Sequence, residues 1–148
     1  MAQDMTRRSA VGAILAAGLP GGAYGGTGAG GSGMKIQFAF DSHVFTATLL
    51  DEAPAQELAA MLPLDLTIED YSNNEKIAYL PRKLTRRANA SFGNEAPGDL
   101  CYYAPWGNLV LYYAAYHYSP GLIRLGRLDD GVQPLMTRGK FPLRATRV

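Results

Sequence analysis

Few residues in this 148-residue chain are equipped for chemistry, and they are scattered. The single cysteine, Cys101, sits in the apolar run LCYYAPWGNLVLYY. A buried structural thiol is expected there rather than a nucleophile, and one cysteine closes no internal disulfide. His43 falls in the turn DSH and His117 at the end of an aromatic strand. Neither has a second histidine nearby, so no metal site is expected. There is no Gly-x-Ser-x-Gly elbow, and Ser119 beside His117 is too local to define a hydrolase. The glycine run GGTGAGG precedes the first expected strand and cannot cradle phosphate by opening a helix. No cofactor is implied.

The richer signal is aromatic. Six of the nine tyrosines fall between positions 102 and 118, and the sole tryptophan, Trp106, stands between Pro105 and Gly107 in an expected turn. Adjacent residues of a strand face opposite ways, so the pairs Tyr102-Tyr103 and Tyr112-Tyr113 each send one ring to each face. Phenol and indole tips need a polar partner or water, which suits a barrel end better than a dry centre. Most of this band is expected to build core and corner. Tyr79, Tyr103, Trp106, Asn108 and Tyr113 are the candidates for lining a shallow ligand cleft, with Arg82 or Arg127 at its edge. The cationic cluster Arg82, Lys83, Arg86 and Arg87 otherwise reads as a solvated loop.

Bulk composition narrows the classes of partner. Hydrophobic residues make up 47% of the chain and charged residues 18%, as in a globular domain with a real core. Ten of the 17 glycines crowd into residues 1–33, which makes that stretch different in kind. Outside it, once Arg7, Arg8 and Asp4 are set aside, 12 basic side chains face 12 acidic ones. Such a balanced domain has no electrostatic reason to bind nucleic acid or anionic membrane. Arg7 and Arg8, the apolar run Val11–Leu19 and the small residues Ala23 and Gly25 resemble an export signal of twin-arginine type, followed by a glycine-rich linker. That apolar run is too short to span a bilayer, so no integral membrane segment is expected in the mature chain. Export would place the mature protein in the periplasm or outside the cell; otherwise it is cytoplasmic.

The elements that must position these residues are mostly strands. KIQFAF (35–40) alternates Ile36, Phe38 and Phe40 against Lys35, Gln37 and Ala39, and VFTATLL (44–50) returns from the DSH turn as a hairpin. DEAPAQELAAML is the one helix, with Pro54 in its first turn, Asp51 and Glu52 at its amino end, an apolar face of Leu58, Met61 and Leu62, and Pro63 as its stop. LDLTIEDY (64–71) and KIAYL (76–80) are strands about an SNNE turn, residues 82–99 form a long polar loop, and a short strand lies near Leu122–Leu125. KFPLRATRV (140–148) reads as a closing edge strand. Many short strands, one helix and no αβ alternation predict a mainly β barrel or sandwich.

Three motifs, LTIEDYSNNEKIAYLPRKL, GDLCYYAPWGNLVLYY and GLIRLGRLDDG, together resemble the bacterial cyclophilin-like fold family, small proteins of largely undefined function. The resemblance runs from Met34 to Val148. It implies a closed cyclophilin-like β-barrel with one or two short flanking helices. True cyclophilins isomerise prolyl bonds with an arginine that donates to the prolyl nitrogen as amide resonance is lost. Aligning KIAYLP on Pro81 puts Ala78 where that arginine would stand, and no shift within the strand supplies one. The expectation is a non-catalytic module binding a small molecule or peptide. The alternative is a prolyl isomerase with a non-standard site.

Overall fold

A computed structural model describes residues 31–86 and 91–148. The export-like segment and most of the glycine-rich linker therefore lie outside the described residues. The first strand already begins at Gly31, three residues ahead of Met34.

Eight antiparallel strands close into one barrel: β1 (Gly31–Phe40), β2 (His43–Leu50), β3 (Leu64–Tyr71), β4 (Glu75–Tyr79), β5 (Asp99–Tyr103), β6 (Asn108–Tyr112), β7 (Leu122–Leu128) and β8 (Lys140–Arg147). Around the wall the order is β1-β2-β7-β5-β6-β4-β3-β8. Among the described residues, helix α1 (Ala53–Met61) and a 3-10 turn at Gln133–Met136 accompany it. The fold is the closed cyclophilin-like barrel that the motifs imply.

Strand period two decides what fills the barrel. Ile36, Phe38 and Phe40 of β1, Ala47 and Leu49 of β2, and Leu64 and Ile68 of β3 all join one buried cluster, as their alternation predicts. Helix α1 adds Leu58 to that cluster, but its other buried residues are Pro54, Ala55 and Ala59, while Met61 and Leu62 are only partly covered. Small residues let the helix backbone lie close to the sheet. Its amino end gains no side-chain cap; Asp51 instead accepts from the Gln56 amide at 2.9 Å.

Two expectations are corrected. Strand β8 is not an edge: it pairs with β3 through Leu64↔Ala145 to Glu69↔Lys140 and with β1 through Ile36↔Arg147 to Ala39↔Arg144. Closure leaves no edge for it to occupy, and Pro142 is tolerated because the β1 ladder ends at Ala39↔Arg144, before reaching it. Nor do all the tyrosines avoid the dry centre. Tyr102 is 1% exposed, and its phenol oxygen accepts the Leu84 N–H at 3.0 Å. A fixed backbone donor inside the wall satisfies the hydroxyl as water would.

Lys76 is also fully buried, on the same side of β4 as Ala78. Its ammonium donates to Asp70 at 3.0 Å and lies 5.6 Å from the Phe40 ring centre. The Gly139 N–H and Arg138 close the far side of that carboxylate.

Candidate functional site

The second buried cluster lies on the outside of the wall. Along β6, Leu109 and Leu111 enter the barrel core, whereas Val110 and Tyr112 belong to an outer cluster with Cys101, Leu122 and Tyr116. The two tyrosine pairs split as expected: Tyr102 and Tyr113 pack with the inner cluster, Tyr103 and Tyr112 with the outer one. Segments 91–98 and 113–121 lay Phe92, Tyr116 and Tyr118 over this outer face.

Register brings the site together. Tyr71 on β3 pairs with Glu75 on β4, which pairs with Tyr112 on β6; Asn108 pairs with both Tyr79 and Tyr103. The β5–β6 turn then folds Trp106 back over the face. Gly107, at φ +80°, permits the reversal, and the Trp106 and Gly107 N–H groups both donate to the Tyr103 carbonyl. The indole stands edge-on to Tyr103 at 5.5 Å and to Tyr71 at 5.3 Å. Beneath it is a cleft of about 230 Å³ with Asn108, Val110 and Leu122 among its lining and Glu75, Tyr112 and Ser119 completing it.

The second wall is braced by charge. Asp99, wholly buried, accepts on Oδ2 from the Tyr116 hydroxyl at 2.6 Å, from Arg124 at 3.0 Å and from the Ala96 N–H at 3.1 Å. Arg127 lies 2.8 Å from Oδ1 but off the hydrogen-bond axis, and is half-exposed. Tyr116, held by Asp99, stacks on Tyr112 with ring centres 3.5 Å apart and planes 5° from parallel. Arg124 in turn lies 4.2 Å over Phe92. The aromatic wall of the cleft thus hangs on one carboxylate.

Two polar groups in the cleft are not committed elsewhere. Asn108 is 1% exposed; its Nδ2 donates to the Leu109 carbonyl at 3.0 Å, and Oδ1 has no partner among the described residues. Glu75 meets no cation among the described residues, and burial raises its carboxyl from 4.5 to about 7. By contrast, burial pushes the Cys101 thiol up to about 12, so it is the inert structural thiol expected.

Of the residues singled out by sequence, the structure gathers Tyr103, Trp106 and Asn108 around one cleft. Tyr79 is half-exposed beside Asn108 and lies off the lining. Arg82 donates to Glu57 on α1 at 2.7 Å, Arg127 is turned to Asp99, and the Tyr113 hydroxyl accepts from Arg138 at 2.7 Å beside the Lys76–Asp70 pair. Among the described residues no arginine lines the cleft. Sequence reasoning missed Tyr71 and Glu75, although the short turn between β3 and β4 sets them opposite each other. Ala78 points into the core, and its neighbours Ile77 and Tyr79 on the other face of β4 are not cationic.

Other cavities offer less. One of about 300 Å³ beside α1 contains Glu57, but that carboxylate already accepts from Arg82, Thr85 and the Arg86 N–H. These bonds outweigh its desolvation and hold it at about 2. Another, of about 470 Å³ around Phe40, Phe141 and Leu66, is wide and carries the Asp65–Arg144 ion pair. Among the described residues no cluster of three or more His, Cys, Asp or Glu is placed to hold a metal, and no helix is long and apolar enough to cross a membrane.

A closed eight-stranded barrel with an aromatic cleft on its outer wall defines the class. The Cyclophilin-like family model matches residues 38–145, and the chain belongs to that family. The fold is similar to the solution structure of the hypothetical protein AF2241 from Archaeoglobus fulgidus, with a TM-score of 0.65 and 17% identity over 80% of this chain and 97% of that one. That likeness is one of fold, and it reaches an archaeal protein. No functionally curated protein matches the sequence.

Proposed function

We propose that the barrel is a non-catalytic binding module whose ligand occupies the outer cleft under Trp106. The observation that carries this reading is the combination of three aromatic rings that meet at Trp106 with an uncommitted amide oxygen and carboxylate in one concavity. Structural aromatics bury themselves, yet Trp106 and Tyr71 each remain 45% exposed while contacting each other. At about 230 Å³ the cleft is smaller than the roughly 300–1,000 Å³ of drug-sized sites, which favours a small molecule or one side chain of a peptide. Prolyl isomerisation is the weaker reading, because the donor that must meet the prolyl nitrogen is missing from the lining.

A ligand-observed NMR screen of small molecules tests the reading, using the full chain and a Ser119→Phe variant that fills the cleft from its exposed rim. Hits that bind the parent and fail with the filled variant support it; hits indifferent to the filling overturn it. A protease-coupled prolyl peptide assay is expected to show no acceleration. Turnover that disappears in Arg82→Ala or Arg127→Ala would replace the binding module with the isomerase.

A further inference from the structure

We infer that the cleft selects a small organic cation, an alkylammonium group seated beneath the Trp106–Tyr71 pair with its charge toward Glu75. This rests on the binding reading above and names the class of ligand.

The amide oxygen of Asn108 and the carboxylate of Glu75, a buried and a half-buried acceptor of the lining, have no partner among the described residues. Asn108 spends its amide donor on Leu109 and keeps Oδ1, and Glu75 presents a carboxylate. Among the described residues the lining contains no lysine, arginine or histidine, so an anion would find no positive partner there and would face Glu75. Ring faces carry negative potential and attract cations, most strongly at tryptophan. Trp106, Tyr71, Tyr103 and Tyr112 all line the same small volume. An ammonium carrying methyl groups suits this site, because it spreads its charge over an apolar surface that the rings can cover. A neutral guest of the same shape keeps the contact area and loses the attraction.

The same geometry makes binding proton-linked. The titratable groups near Glu75 are Tyr71 on β3, Tyr103 and Cys101 on β5, and Tyr112 on β6, with Asp99 beyond them held by Arg124 and Arg127. Burial moves Cys101 to about 12 and Tyr112 higher, so both stay neutral near pH 7. Glu75 is the group that changes charge across that range, and a bound cation favours its ionised form.

Choline and its neutral isostere 3,3-dimethylbutan-1-ol provide the test. Trp106 is the only tryptophan, so its fluorescence reports this cleft alone. Choline is expected to produce a saturable change with an affinity at least about ten times that of the isostere. Its affinity should rise between pH 5.5 and 8.5 and fall about tenfold in Glu75→Gln, while the isostere's affinity moves with neither change. Equal binding of the two compounds, or a choline affinity unaffected by Glu75→Gln, overturns the cation inference and leaves the cleft reading standing. If neither compound binds while other small molecules still perturb Trp106, the cation inference alone fails. If no compound perturbs Trp106, both fail.

Discussion

Replacing Glu75 with glutamine should make the protein more stable at pH 8 and leave it unchanged at pH 4. The carboxyl is half-buried with no cation beside it among the described residues, and desolvation carries it from 4.5 to about 7 in the folded barrel. Below pH 4.5 it is largely protonated in both folded and unfolded chains, so it costs nothing. Between 4.5 and 7 the unfolded chain ionises first, and folding stability declines as pH rises. Above about 7 the folded group ionises as well and the loss is complete. At roughly 1.4 kcal/mol for each tenfold in proton affinity, the gap sets a ceiling of about 3 kcal/mol. Solvent reaching the side chain screens this to roughly 1–2 kcal/mol. For a domain of this size that is roughly 3–8 °C in Tm. Urea or thermal unfolding of both proteins from pH 4 to 8.5 isolates the effect, because every other group titrates alike in the pair. Parallel curves, with a difference independent of pH, would refute the assignment of a desolvated carboxylate at the cleft.

The brace behind the cleft should be unequal in its parts. Asp99→Asn is expected to cost about 3–5 kcal/mol by chemical denaturation, since it leaves Arg124 buried without its charge partner. Arg127→Ala, at the half-exposed and poorly aligned contact, should cost no more than about 1 kcal/mol; equal losses would contradict the network. Gly121→Ala should cost about 1–3 kcal/mol and shift the Trp106 emission. Position 121 has φ +92°, and an added Cβ would come 2.8 Å from Pro105 Cδ in the turn that carries the indole. An unchanged emission spectrum would mean that the turn does not set the position of Trp106.

The barrel was legible wherever one face of a strand is buried and the other is not. Ile36, Phe38 and Phe40 announce β1, and Leu64, Leu66 and Ile68 announce β3, because period two puts them on one face, where Leu66 is only partly buried. Closure was not legible at β8, since pairing on two sides depends on strands distant in sequence. Lys76 shows the same limit. Nothing local says that a lysine turns inward, because its partner Asp70 lies across the hairpin and Phe40 on a different strand. At the candidate site, Tyr103, Trp106 and Asn108 could be chosen because they sit within one hairpin. Tyr71 and Glu75 escaped because their claim to the site rests on register between strands and on where a turn throws one indole. The arginines were over-read for the converse reason: charge is visible in sequence, whereas its partners, Glu57 for Arg82 and Asp99 for Arg127, are not.

The central claim is that the outer cleft under Trp106 is where this protein holds its ligand. A ¹H–¹⁵N spectrum recorded with and without a saturating small-molecule hit tests it most directly. The indole N–H of Trp106 and the side-chain amide of Asn108 are both resolved probes of the lining. These two signals are expected to move together, along with the backbone amides of Tyr71, Glu75 and Tyr112. Shifts confined to the surface around Phe40 and Phe141, with Trp106 and Asn108 unmoved, would contradict it.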